Sequence, residues 1–260
     1  MQPTMVGESR KPEMPAHGIG EELGALRPHI GPSPLAGYEH MKGFGVFALP
    51  FDSGHVLAMR VFPDNDFAPY VTVWHRTPEG HWRIYYDAAR ADIACPRYYG
   101  AAAERVAPAN IVLRWTGPME LHVTMDAPRL DWTIDVGAPL RSRVLGAMGT
   151  KLPRMMWRSR LVQRLITRVG DAAFGVGDVT LSGRAPNGQR AFLMPERMFP
   201  IVESTALLEG RSLGRPTHAD ESPRIGDMKL PASPVLAIGE AYFSIDDPEE
   251  HRRTVEALQS

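Results

Sequence analysis

From residue 42 to residue 136 the chain alternates short runs of β-branched and aromatic residues with turn-forming pairs at close intervals. That pattern predicts an antiparallel meander, with strands at 42–49, 54–62, 69–75, 82–87, 103–108, 110–116, 119–125 and 130–136. Thr77-Pro78-Glu79-Gly80, Gly117-Pro118 and Asp126-Ala127-Pro128-Arg129 separate consecutive runs. Each offers the preset φ of proline or the positive φ of glycine, so neighbouring runs are expected to be hairpin partners.

Alternation is cleanest in the later runs. Ile111, Leu113 and Trp115, then Met119, Leu121, Val123 and Met125, then Leu130, Trp132, Ile134 and Val136 each define one face. Arg114, Glu120, His122, Thr124, Asp131, Thr133 and Asp135 define the other. One dry face and one wet face suit a sheet that curls around its own interior. Eight successive up-and-down strands can close around a space wide enough for one small ligand.

Beyond Val136 the pattern changes. Residues 138–170 hold Arg141, Arg143, Lys151, Arg154, Arg158, Arg160, Arg164 and Arg168 and no acid, which leaves the remainder of the chain acidic. From Ser159 to Val169 the period is helical: Leu161, Val162, Leu165, Ile166 and Val169 share one side, and Arg160, Gln163, Arg164, Thr167 and Arg168 the other. The expected end is near Gly170. Strand character returns at 178–184 and 189–194 around the hairpin signal Asn187-Gly188, and again at 199–208 and 235–245. Residues 209–234 read as a long connection, either a lid over a pocket or unstructured. Asp247-Pro248-Glu249-Glu250 opens a C-terminal helix with a cap, a proline in the first turn and acids at the positive dipole end.

The expected fold class is therefore mainly β: antiparallel up-and-down barrel-like units, a basic amphipathic helical insertion and a C-terminal helix. The expected divisions are an unstructured proline-rich arm at 1–36, a first β unit at 37–137, a helical connector at 138–176 and a smaller β unit with the helix at 177–260.

Composition narrows the classes. Hydrophobic content of 43% and charged content of 23% are those of a globular protein, and a net charge of -1 gives no general attraction to nucleic acid. Cys95 is the only cysteine, which excludes an intrachain disulfide and a cysteine-based zinc site. No signal-like or membrane-spanning apolar run occurs, so a cytoplasmic location is the expectation. Among chemical signatures, HExxH, the P-loop, GxSxG and paired CxxC are missing. Gly175-Val176-Gly177 leads into a strand rather than a helix, which argues against a dinucleotide loop. No cofactor is implied.

The meander Tyr70-Val71-Thr72-Val73-Trp74 to Trp82-Arg83-Ile84-Tyr85-Tyr86, the hairpins to Val136 and the block Val179-Thr180-Leu181-Ser182-Gly183-Arg184 resemble the calycin superfamily. The similarity is to its lipocalin-like members, which include the carotenoid 1,2-hydratases and AttH-type proteins. The resemblance implies linked β-barrel-like units that hold an apolar small molecule, an isoprenoid, lipid or polyketide-like compound, with hydration, isomerisation or cyclisation as possible chemistry. A carrier or sensor without chemistry is the alternative.

Parity nominates the site. His55 falls in phase with Leu57, Met59 and Val61, and His75 with Val71 and Val73, while Trp82 and Tyr86 fall in phase with Ile84. Antiparallel pairing brings His55 and His75 together at one end, near Asp52, where the two imidazoles are placed to transfer a proton. Trp82, Tyr86, Trp115, Trp132 and Met59 are the candidate ligand wall, equally readable as core. Met155, Met156, Trp157, Arg158 and Arg164 are the candidate contact with an anionic membrane surface or an acidic partner.

Overall fold

The computed structural model describes residues 18–139, 142 and 153–259. The chain is mainly β, built on a strongly curled sheet that forms a half-barrel. Its ten principal strands are β1 (Tyr38–Pro50), β2 (Val56–Asn65), β3 (Tyr70–Arg76), β4 (Trp82–Asp87), β5 (Arg105–Pro108), β6 (Ile111–Trp115), β7 (Glu120–Met125), β8 (Leu130–Val136), β9 (Arg190–Leu208) and β10 (Val235–Ser244). They lie in the order β5-β4-β3-β2-β1-β10-β9-β8-β7-β6. Every neighbour in that order except β10 beside β1 is also a neighbour along the chain. The pairs are antiparallel except β4 with β5, which run parallel, and β5 and β6 leave the sheet open between them.

Two features of β9 make the curl. Its first half pairs with β10 and its second half with β8, so one strand spans both halves of the sheet. Register shifts between Pro195 and Arg197 and between Ile201 and Glu203 bend it where prolines remove ladder donors. The boundaries expected at 137 and 177 do not interrupt the sheet, because β9 joins strands from both sides of them.

Burial explains why the strands form where they do. On the inner face Phe44, Val46, Leu57, Met59, Val73, Leu121, Trp132, Ile134 and Leu236 make one continuous core. β6, β7 and β8 bury that face only, and their polar positions look outward, as alternation predicts. The strands β1 to β4 and β10 bury both faces. Their outer face carries Ala58, Phe62, Tyr70, Trp74, Trp82, Ile84 and Phe243 and is covered by α2 (Pro96–Tyr99) and by residues 185–191 and 225–230.

Several expectations are corrected here. Residues Ile19–Gly24, inside the stretch expected to be unstructured, form α1, and the rest of that arm, residues 1–17, lies outside the described residues. Gly20 lies so close to Trp115 that an added Cβ would come within 2.7 Å of its ring, so α1 closes the core there. The basic helix, α3 (Arg160–Phe174), runs through Gly170 and ends at Gly175, which supplies the left-handed φ of 63°. Residues 209–234 are an ordered cover with buried Leu213, Ile225, Met228 and Leu230. Among the described residues no helix is long and apolar enough to cross a membrane.

The cover is clamped by a buried carboxylate. Glu39 at the start of β1 accepts from Arg97 at 2.7, 3.0 and 3.1 Å, from Tyr98 Oη at 2.7 Å and pairs with His251 Nδ1 at 3.2 Å. His251 belongs to α4 (Pro248–Gln259), so one side chain joins the sheet to α2 and α4. Burial alone would push this carboxyl up, and the His251, Arg97 and Tyr98 hydrogen bonds hold it below the usual carboxylate range. Breaking one partner of such a buried pair costs about 3–5 kcal/mol. Glu39→Gln is therefore expected to lower unfolding stability in urea by that amount, whereas Glu256→Gln, on the exposed face of α4, changes it by less than about 0.5 kcal/mol.

Candidate functional site

The β2–β3 hairpin sets Leu57 opposite His75 and brings the two nominated histidines together. His55 Nδ1 lies 2.9 Å from His75 Nε2, with the rings stacked at 5.0 Å between centroids. His75 is 3% exposed, and His55 is half-buried. Burial, then the charges of His55 and Arg83, push His75 down to about 4, and burial also lowers His55. The pair is neutral at neutral pH, one ring donating and the other accepting. Asp52 does not orient it: the Asp52 carboxylate accepts from the Arg215 backbone N–H at 3.0 Å and fastens the 211–217 segment instead. Among the described residues no group of three or more His, Cys, Asp or Glu is placed to hold a metal ion.

The nominated ligand wall divides between two cores. Met59 and Trp132 are fully buried in the inner core, where Trp132 Nε1 donates to Ser204 Oγ at 2.9 Å, and Trp115 packs on Phe44. Trp82 and Tyr86 point the other way from the expectation. They lie opposite Arg76 and Thr72, so they share the outer face with Trp74, while Arg83 takes the position beside His75. The apolar phase of β4, Trp82, Ile84 and Tyr86, lies on the outer face beneath the cover, while Arg83, Tyr85 and Asp87 take the inward phase.

A cavity lies elsewhere, around the cross-strand pair Gly43 and Gly239, where no side chain covers the sheet. Its volume is about 90 Å³, and its wall is almost wholly apolar, with Met41, Phe62, Trp74, Tyr99, Leu193 and Met228 among its lining. α3 contributes Ile166 and Gly170, and the 176–181 and 228–231 segments complete the wall. The glycines cannot be replaced: a Cβ on Gly239 would sit 2.2 Å from Met194 O. Neither imidazole, and none of the five aromatic and methionine candidates, borders this space.

One charge in the wall stands apart. Arg60 is 4% exposed, in the middle of β2 and in phase with Ala58 and Phe62. Its guanidinium donates to Val46 O at 2.6 Å, Met59 O at 2.9 Å and Phe47 O at 3.1 Å, and lies 4.0 Å from the Phe47 ring and 4.9 Å from the Trp74 ring. Burial pushes it down to about 10. Sequence reasoning missed Arg60 because the phase of Leu57 and Met59 assigns it to solvent. The available signal was that its nearest neighbours in phase, Val56, Ala58 and Phe62, are apolar too.

The candidate contact residues of the basic segment divide as well. Trp157 is 1% exposed, packed with Phe192, Met194 and Tyr242, while Met156 and Arg164 are exposed. The side chains of Met155 and Arg158 lie outside the described residues. α3 turns Gln163 inward, where its side chain bonds Trp157 O at 2.6 Å and Ser182 Oγ at 2.6 Å. Leu161 and Leu165 are left 75% and 62% exposed, with Val169 continuing the row one turn on.

The His75 shift makes acid destabilising. Its folded value lies below the ordinary 6.5, so the unfolded chain binds more protons between about pH 6.5 and pH 4, and stability falls as pH falls through that window. The full cost is on the order of 3 kcal/mol. Asp66, which burial raises to about 6, acts in the opposite sense, so the informative quantity is the difference between parent and variant. His75→Gln is expected to lose less stability than the parent between pH 7 and pH 4.5, measured by urea denaturation at each pH. No protein-family model matches this chain, and neither a curated protein nor a solved structure does.

Proposed function

We propose that the protein binds an apolar small molecule in the cavity beside Gly43 and Gly239, as a carrier or sensor. The observation that carries this reading is an apolar space, walled by aromatic and methionine side chains, whose floor is kept clear by two paired glycines. Chemistry at the imidazoles is not part of it, because neither borders the cavity. The chain-order meander supports a lipocalin-like reading, from which the parallel β4–β5 contact and the open seam depart. The cavity invoked also differs from a lipocalin's, since the interior of the curl is filled by core.

The test is titration with a neutral apolar fluorescent probe. The parent is expected to bind with saturation at one site. Ala241→Leu, which adds volume at the cavity wall, is expected to weaken binding at least tenfold while melting within a few degrees of the parent. Equal binding by both proteins would put the ligand elsewhere.

The outward row Leu161, Leu165 and Val169, flanked by Arg164 and Arg168, favours a second reading that is compatible with the first: α3 rests on an anionic membrane surface. Sedimentation with phosphatidylserine vesicles is expected to bring the protein down at 0.1 M salt. Leu161→Glu with Leu165→Glu should abolish this, and neutral vesicles should not bind. Indifference to lipid charge would remove the role of the arginines.

A further inference from the structure

We infer that the ligand of this cavity carries a single carboxylate, held by Arg60, and since the cavity is only about 90 Å³ its chemical class is a short-chain or monocyclic apolar monocarboxylic acid. This rests on the cavity reading and adds the ligand's charge to it.

The charges around the cavity carry the inference. Glu240 borders the space but is held by Arg154 at 3.1 and 3.3 Å, with Lys42 at 3.5 Å and the Tyr242 hydroxyl also on it. Lys229 borders it too and is paired with Asp178. Arg60 has no carboxylate partner among the described residues. The groups that act on its charge are Cys95, Tyr99 and Tyr70, all uncharged at neutral pH because burial raises each of them. Three backbone carbonyls engage three of the five N–H donors of a guanidinium, and two aromatic faces cover it.

A permanently charged group in an apolar wall is costly to bury without a counter-charge. Leucine or methionine would fill the same volume on this apolar phase of β2 without that cost. A bound carboxylate supplies the missing charge and accepts from the spare donors in the planar fork geometry that suits a guanidinium. A phosphate monoester would bring close to two negative charges to one cation, which the apolar wall does not balance. The single cation therefore selects a monoanion, and the remaining wall selects an apolar body.

The experiment compares hexanoic acid with hexan-1-ol by displacement of the neutral probe from the parent and from Arg60→Met. The parent is expected to bind the acid at least tenfold more tightly than the alcohol, and Arg60→Met to bind the two within about twofold while keeping the parent's affinity for the alcohol. Equal displacement by acid and alcohol from the parent overturns the carboxylate assignment and leaves the cavity reading standing. Displacement by neither, with the probe failing to saturate, overturns both. The parent comparison needs no variant, so a folding defect in Arg60→Met leaves the inference open to refutation.

Discussion

The buried Glu39 carboxylate is the contact on which the layered arrangement depends. It is the second residue of β1, on the outer face of the sheet, where water does not reach it, and Arg97, Tyr98 and His251 make its charge tolerable there. Those three partners come from two helices far apart in sequence. Satisfying one charge therefore positions α2 and α4 against the sheet, and Tyr98, stacked on Phe243 at 3.8 Å, is held as part of the cavity wall. Electrostatics here serves placement: a hydrophobic contact would hold the helices with less directional control.

Two-sided burial is the second organising fact. β1 to β4 and β10 face the core on one side and the α2 layer on the other, so each contributes to both packings. Small residues relieve the crowding. Ala48, Ala58, Ala191 and Ala241 occupy the outer face around the glycine pair, and the cover cannot sink fully onto them. A cavity results where the sheet has little to offer and the cover is propped by larger groups such as Trp74, Tyr99 and Met228. Arg60 occupies that gap, and its long aliphatic stem lets the charge reach the Val46 and Phe47 carbonyls across the bulge between Val46 and Leu49.

The orientation of α3 follows from the same economy. Its apolar stripe would be the expected inner side, yet Gln163 and Gly170 face inward while Leu161 and Leu165 face out. Gln163 answers the Trp157 carbonyl and the Ser182 hydroxyl, polar groups of the segments it packs on, which a leucine could not satisfy. Ile166 packs against the cluster of Trp157, Phe192, Met194 and Tyr242. The cost of exposing three aliphatic side chains is what makes that helix face informative about function.

The sequence by itself determined the hairpins. Turn chemistry and alternation place β1 to β4 and β6 to β8 within a few residues of their observed limits, locate the Asn187-Gly188 turn, and bring His55 to His75, because all of these depend on contacts between near neighbours in the chain. Alternation also read the faces of β6 to β8 correctly, since one side of them is wet. Only the tertiary structure decided which phase of β4 points to the core, that Arg60 is buried, that β1 pairs with β10 and that α3 turns its leucines outward. The physical reason is common to all four. A hydrophobic pattern records the difference between a residue's two environments, and where both sides of a strand are dry, or where a helix meets polar groups supplied by a distant segment, that difference is absent or reversed.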